Sequence, residues 1–331
     1  MVYHDRHIYN TFGLEAVAGT YVEYCSAEEL RREMEDAPHP WLHVGGGSNL
    51  LFSDPRVEGT VFHNAMNAIV VIGEDESSVA VRVGGGVVWD FFVQWCVTHG
   101  WYGAENLSLI PGEVGAAAVQ NIGAYGAEVK DIIECVETLD TETLQDRVFT
   151  REECRYGYRS SFFKMEEGRR YFVLSVVFRL GLQPRYNLGY GPLKEIPEDE
   201  LSLAAIREKV ISTREAKLPD PLIVGSAGSF FMNPVVSAVR AKALLAEYPD
   251  MPHYPAADGM VKLSAGWMID RCGLKGYHRD NAGVYEKQAL VLVNLGGASA
   301  DEILALADEV IDAVRKKFGV SLHPEVQIIK E

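Results

Sequence analysis

The sequence is short of positive charge: 31 lysines and arginines stand against 47 aspartates and glutamates, a formal net charge of −16. So acidic a chain is a poor partner for nucleic acid or an anionic membrane surface. Any anionic small molecule it binds must be held by local cations against the overall field. Long apolar runs are also missing, and none approaches the ~18 residues of a transmembrane helix. The start, Met1-Val2-Tyr3-His4-Asp5-Arg6, has no apolar signal region. Cysteines number five, at positions 25, 96, 135, 154 and 272, with no CxxC pair. Their odd count and wide spacing predict reduced thiols and a cytoplasmic protein. The nine histidines form no ligand-spaced cluster, so no metal is expected. Repeats and low-complexity tracts are absent. What is present is a chain of 331 residues, 47% hydrophobic, long enough for two or three domains with sizeable cores.

The chain is organised around His43–Asp54, H-V-G-G-G-S-N-L-L-F-S-D. The apolar run Trp41–Val44 enters three glycines, Gly45, Gly46 and Gly47. Ser48-Asn49 and a second apolar run, Leu50–Phe52, follow. Glycines permit positive φ and close approach to a ligand, and successive bare N–H groups form an anion-binding concavity. The pattern is neither G-x-G-x-x-G nor a P-loop ending in Gly-Lys-Ser/Thr. Pro55 breaks the following segment too early for a helix. The spacing therefore predicts strand–GGGSN–strand, with phosphate held by loop amides; an unliganded tight turn fits three glycines equally well. A second stretch, residues 107–131, is rich in small residues: Gly112, Gly115, Ala116, Ala117, Ala118, Gly123, Ala124, Gly126 and Ala127. Backbone that lies against a large flat ligand has this composition.

Elsewhere the patterns are ordinary. Ser26–Glu29 reads as a capping box with Leu30 and Met34 on one helical face. Strands are predicted at Val57–Phe62, Ala68–Ile72, Val79–Val83, Ile132–Leu139, Arg147–Phe149 and Tyr171–Leu180. A helix over Val87–His99 stops at Gly100. Gly181–Pro197, with three prolines and three glycines, reads as a linker. Helices follow over Leu201–Lys217, Val235–Tyr248 and from a cap at Ser299 to Phe318. A strand at Ala289–Asn294 and a terminal strand over His323–Ile329 complete an α+β reading.

Three further segments carry candidate chemistry. Tyr156–Lys164 packs aromatics around Arg159, which alone is more often a stacked surface residue. Gly225–Pro234 sets Ser229 in a small-residue turn before two phenylalanines. It is not G-x-S-x-G, since Ala227 and Phe231 stand where glycines would be needed. Pro324-Glu325 lies near the C-terminus, where a glutamate is normally solvated.

GGGSNLL followed by IPGEVGAAAVQNIGAYG resembles the flavin-binding domain of the UDP-N-acetylenolpyruvoylglucosamine reductase family, also called UDP-N-acetylmuramate dehydrogenases. Y-R-x-S-x-F at Arg159, G-x-A-G-S-F-F-x-N-P at Ser229 and the closing P-E-V at Glu325 match the same family in order, so the resemblance spans roughly residues 9 to 329. It implies an α+β fold: an FAD-binding domain of the PCMH (vanillyl-alcohol-oxidase-like) type over 1–183, in two α/β subdomains of about 1–65 and 66–183. A substrate loop over 184–200 and a C-terminal α+β substrate-binding domain over 201–331 would follow, the last strand returning to the active site. It implies non-covalent FAD, because Ser48 stands where some flavoproteins of the wider superfamily carry a flavin-linked histidine. NADPH is the implied co-substrate and UDP-N-acetylglucosamine enolpyruvate the implied substrate, with no nucleic-acid or membrane partner and a monomeric state.

By the same resemblance Arg159, Ser229 and Glu325 are catalytic. Arginine would hold the substrate carboxylate and enolate, serine would donate the proton, and glutamate would support it. Three such separated groups imply domains folded over a shared cleft. Tyr190, Lys217, Asn233, Gln288 and Tyr125 would contact the substrate, Tyr190 marking the longer, loop-bearing type. Cofactor contacts would come from Gly45, Gly46, Gly47, Ser48, Asn49, Leu50, Pro111, Gly112, Gly115, Ala116, Gln120, Asn121, Gly123 and Ala124. Met232 and Gln327 depart from the pattern, each standing where a basic residue is common. Another FAD enzyme on the same scaffold, such as an alcohol oxidase, would share the flavin loops without needing Ser229 and Glu325 together. A non-catalytic UDP-sugar binder would be colourless.

Overall fold

The computed structural model describes residues 1–330. The chain divides into two compact units, neither continuous in sequence: Met1–His7, Val17–Gly47 and Arg56–Arg214 form one, and Ile8–Ala16, Ser48–Pro55 and Glu215 onward form the other. The expected boundaries near 183 and 201 do not coincide with this division. Helical residues 203–214 stay with the first unit, because Ile206 and Val210 bury against Leu193.

The first unit holds two sheets. One has the order Val2–His7, Val17–Tyr24, Arg56–Asn64, Trp41–Val44, antiparallel at the first pair and parallel thereafter. The other is antiparallel, ordered Asp146–Thr150, Ile133–Asp140, Tyr171–Gly181, Ser78–Gly84, Ile69–Glu74. Asn64 joins them: its buried amide donates to the carbonyls of Val173 (2.8 Å) and Leu174 (2.9 Å).

Helix α1 (Ala27–Met34) buries Leu30 and Met34, as its periodicity predicts. Its cap departs from the expected box. Ser26 accepts from the Glu29 N–H, but Glu29 takes the N–H of Cys25 and not that of Ser26. Helix α2 (Trp89–His99) buries Trp89, Phe92, Val93 and Cys96, the i, i+3, i+4, i+7 stripe. Gly100 ends it in the left-handed region at φ 72°. Helix α3 (Val114–Gln120) forms inside the small-residue stretch, where no helix was expected, with Val114, Ala117 and Ala118 in the core. Small residues here therefore serve packing as well: a Cβ on Gly115 would lie 3.3 Å from the Gly85 carbonyl. Helix α4 (Leu203–Lys217) follows a loop that contains a short helical turn at Gly191–Glu195.

The second unit has an antiparallel sheet, Gly225–Ser229, Val291–Asn294, Ala282–Val284, His278–Arg279. A smaller one runs Val235–Val236, Val261–Leu263, His253–Pro255. Helix α5 (Ala238–Glu247) is shorter than predicted, because Ser237 caps it and Val235–Val236 pair as a strand. Helices α6 (Ala265–Arg271) and α7 (Ala300–Phe318) complete the unit. Its core gathers Ile303, Leu306, Val310 and Val314 of α7 with Phe230, Phe231, Leu292 and Phe12. Phe12 arrives on the early segment Ile8–Ala16, whose Thr11 carbonyl accepts from the Ser226 N–H at 2.8 Å. The terminal strand Gln327–Ile329 pairs in parallel with Leu50–Phe52.

All five cysteines are free. Among the described residues no His/Cys/Asp/Glu cluster could hold a metal ion, and no helix is long and apolar enough to cross a membrane.

Candidate flavin loop and active-site residues

The glycine loop leaves the strand Trp41–Val44 and ends where Leu50 opens the next strand, as its spacing predicts. Only Gly47 takes positive φ, at 64°. Gly45 and Gly46 are small for another reason: they face the second glycine stretch. A Cβ on Gly45 would sit 3.1 Å from the Ala116 Cβ, and one on Gly46 would sit 3.5 Å from the Gly112 Cα. The two stretches singled out in the sequence thus lie against each other. Among the described residues, no hydrogen bond occupies the backbone N–H of Gly46 or Gly47. Two bare donors in a glycine turn fit the pyrophosphate of a dinucleotide cofactor.

Charge beside this loop is balanced. The Glu113 carboxylate lies close to Gly45 and Gly46, and His63 Nε2 meets its oxygens at 3.0 and 3.2 Å. Burial alone would lower the His63 pKa. The hydrogen bond and charge of Glu113, followed by those of Glu23, outweigh burial and raise it. When protonated, the imidazole offsets the carboxylate, which otherwise repels an anion on the loop. His43, on the neighbouring strand, goes the other way. It stacks on Phe172 with ring centroids 4.3 Å apart and meets Tyr24 Oη at 2.8 Å. Burial, and then the charge of His63, lowers its pKa to about 3.

The rest of the second stretch forms the surroundings of Arg159. Gly157 and Ser160 bond each other's backbone in a tight turn, and Arg159 sits in it at φ 52°. Its guanidinium stacks over Tyr158 and donates to the carbonyls of Gly123 (2.6 Å) and Asn121 (3.4 Å). Lys164 donates to the Arg159 carbonyl and to Gln120 Oε1. Gln120 Nε2 is buried with no hydrogen-bond partner. Asn121 is fully buried and bonds the Gly157 carbonyl and the Lys130 N–H, so its side chain serves the fold. Gly123-Ala124 pairs with Ala127-Glu128 in a short ribbon. Tyr125, between the two, has φ 49° and meets Tyr190 edge-on at 5.9 Å. Tyr190 is otherwise exposed, at 41%. Pro111 and Gly112 precede α3, and the Gly112 carbonyl accepts from the Trp89 N–H.

Arg214 was not foreseen in the sequence. It is an α4 residue with no motif around it. Burial lowers its pKa, and the charge of Arg159 adds to that lowering while Tyr125 and Asp90 oppose it. Its Nε donates to the Leu109 carbonyl at 3.2 Å, and among the described residues no carboxylate pairs with it. A half-buried cation near a second arginine is a natural holder of an anion.

In the second unit, Ser229 ends the strand Gly225–Ser229 after a register shift, opposite Val291. The segment His323–Glu325 runs antiparallel to Phe230–Met232. Glu325 N–H donates to the Phe230 carbonyl at 2.7 Å, Met232 N–H donates to the His323 carbonyl at 2.9 Å, and Phe231 bridges Pro324. Glu325 thereby sits beside the residue that follows Ser229. Asn49 fixes the far side: its Nδ2 donates to the Glu325 carbonyl at 3.2 Å, and its own carbonyl accepts from Gln327. Asn49 and Leu50, expected at a cofactor, thus also hold the terminal strand. Asn233 and Gln288 each reach the first turn of α6: Asn233 Oδ1 accepts from the Ala265 N–H, and a Cβ on Gly266 would lie 3.1 Å from Gln288 Oε1. Lys217, at the end of α4, is exposed, as is Gln327. Both half-buried Ser48 and Met232 lie next to residues just described.

Residues 20–143 match the FAD binding domain family. With the α+β fold and the PCMH-type scaffold they define an FAD-dependent oxidoreductase. Residues 220–329 match the UDP-N-acetylenolpyruvoylglucosamine reductase C-terminal domain. The chain belongs to the UDP-N-acetylenolpyruvoylglucosamine reductase family. It is 50% identical to the enzyme of that name from Bacteroides fragilis (strain YCH46), over 97% of each chain. It is 47% identical to that of Porphyromonas gingivalis (strain ATCC 33277), over 97% of this chain and 96% of the relative. The crystal structure of the reductase from Thermus caldophilus superposes with a TM-score of 0.66 at 26% identity, covering 97% of this chain and 96% of that one.

Proposed function

We propose that this protein reduces UDP-N-acetylglucosamine enolpyruvate to UDP-N-acetylmuramate with NADPH as reductant, a step of peptidoglycan precursor synthesis. Bound FAD supplies the hydride chemistry, from NADPH through N5 to the terminal vinyl carbon. The chain's own residues orient the reactants and manage charge and proton. Residues Gly45–Leu50, with Pro111, Gly112, Ala116, Gln120 and the 121–124 backbone, hold the cofactor, its pyrophosphate on the Gly46 and Gly47 amides. Tyr190, Lys217, Asn233, Gln288 and Tyr125 contact the substrate's nucleotide and diphosphate.

Hydride addition to the vinyl carbon leaves an enolate on the pyruvyl carboxylate. Arg159, with Arg214, supplies fixed positive charge for it. Ser229 protonates the adjacent carbon. A serine hydroxyl is a poor acid toward water, but a carbanion-like carbon is basic enough to take its proton. Glu325 hydrogen-bonds the enol oxygen or helps restore the proton to Ser229. The observation that supports this assignment is the pairing of His323–Glu325 with Phe230–Met232, in which Glu325 bonds the backbone of Phe230, the residue after Ser229.

The two half-reactions make different demands. Flavin reduction by NADPH needs no proton delivered to carbon; reduction of the enolpyruvyl ether does. General acid catalysis is worth ~10²–10⁴-fold. Ser229→Ala is expected to bleach normally with NADPH and to lose reoxidation by the enolpyruvyl substrate by at least that factor, followed by flavin absorbance in anaerobic stopped flow. Equal slowing of both halves, or of neither, makes the serine structural.

A further inference from the structure

A half-buried carboxylate outside the reacting groups joins three pieces of chain. Asp90, in the first turn of α2, accepts two parallel bonds from Arg207 of α4, at 2.6 and 2.8 Å, and a third from the Leu109 N–H at 2.5 Å. Leu109 is itself unusual: its φ is 58°, a left-handed conformation that a leucine adopts only when its surroundings impose it. In that conformation its N–H points to Asp90 while its carbonyl accepts from Arg214 Nε at 3.2 Å. Arg207 and Arg214 stand seven residues apart on α4, two turns along one face. Asp90 therefore controls Arg214 by two routes, through the helix that carries it and through the carbonyl that aims it.

We infer that Asp90 is a positioning residue for substrate reduction, which acts through Leu109 and Arg207 to set the direction of the Arg214 guanidinium. The inference rests on the proposed function, in which Arg214 balances the substrate's negative charge. Bidentate geometry supports it, because a fork-to-carboxylate pair fixes orientation as well as distance. The Asp90 pKa agrees: burial would raise it, yet the Arg207 pair, the Leu109 N–H and the charge of Arg214 bring it below its usual value. Without the carboxylate, Leu109 has no reason to stay left-handed, its carbonyl turns, and Arg214 Nε loses its acceptor.

The test is a mutant cycle read in separate half-reactions on the FAD-loaded protein. Asp90→Asn is expected to keep its flavin and its rate of reduction by NADPH. Its kcat/KM for the UDP-linked enolpyruvyl substrate should fall about 10- to 100-fold, the cost of a misplaced contact. Combined with Arg214→Ala, it should add nothing to the loss that Arg214→Ala causes alone. Losses that multiply, or equal slowing of both half-reactions, overturn the inference. If Asp90→Asn yields no flavin-loaded protein, Leu109 decides. Leu109→Asn, which tolerates positive φ, should keep substrate reduction, and Leu109→Val should lose it; equal rates for the two overturn the inference. A wild-type protein that is bleached by NADPH but never reoxidised by the substrate removes the proposed function and the role of Asp90 with it, a result distinct from additivity in a working enzyme.

Discussion

His43 and His63 lie on adjacent parallel strands, yet their environments push their protonation in opposite directions. His43 is lowered to about 3 by burial and then by His63. The folded state therefore binds fewer protons there than the unfolded chain, whose histidine titrates at 6.5. Its contribution is complete above 6.5 and is lost as pH falls toward about 3. His63 is raised, so its contribution is complete below 6.5 and is lost as pH climbs through the raised value. Urea midpoints measured from acid to alkaline pH should show a shallower acid decline in His43→Gln and a shallower alkaline decline in His63→Gln. A parallel shift of the whole curve in both would contradict the assignment. Gly46 gives a second expectation at this scale. Gly46→Val fills the space toward Gly112 and crowds two bare amides, so the variant should fold but retain little FAD, measured as the flavin-to-protein absorbance ratio. A full complement of flavin removes the loop from the cofactor site. The sequence marked this loop because three glycines in a row are rare and physically specific. It did not show which glycine needs positive φ. Nor did it reveal Arg214, since a single arginine on an amphipathic helix looks the same whether solvated or buried.

Among the elements, those with terminal chemistry were the legible ones. Helix α7 begins at Ser299, whose side chain and that of Glu302 cap each other's backbone N–H, and ends at Gly319 with φ 61°. Both signals are local, so they survive without knowledge of the fold. Helix α3 was missed because Gly115, Ala116, Ala117 and Ala118 carry no amphipathic contrast. Its helical state comes from packing on the antiparallel sheet, which is not written in the segment itself. The start of α5 was misplaced because Val235-Val236 continues the helical apolar pattern, whereas strand pairing with Val261 and Lys262 claims it. Ser299→Ala should cost about 1 kcal/mol, the usual worth of such a cap. The midpoint of denaturant unfolding checks this, and a loss below about 0.3 kcal/mol would mean that α7 is held by its buried stripe alone.

For the whole molecule, the division into units was the least legible feature, because composition reads contiguous stretches and this chain crosses between units several times. Composition did foretell enough hydrophobic residues for a core in each unit. FAD binds the folded chain, so its removal should lower thermal stability by linkage: free cofactor at a hundredfold excess over its dissociation constant contributes about 2.7 kcal/mol. Melting curves with and without added FAD should separate accordingly, and coincident curves would mean that cofactor and fold are uncoupled.

The pairing of Gln327–Ile329 with Leu50–Phe52 has a consequence for how the protein is made. Asn49 and Glu325, which bond across that junction, are 276 residues apart. At ~5–20 residues per second a ribosome needs about 14–55 seconds to cover that distance. For that interval the strand Leu50–Phe52 waits beside a growing chain with its partner unsynthesised, and the backbone that seats Glu325 cannot yet exist. Folding of the second unit therefore waits for Gln327–Ile329 to be synthesised. The seat of Glu325 is complete only when Gln327–Ile329 has cleared the exit tunnel and added to Leu50–Phe52.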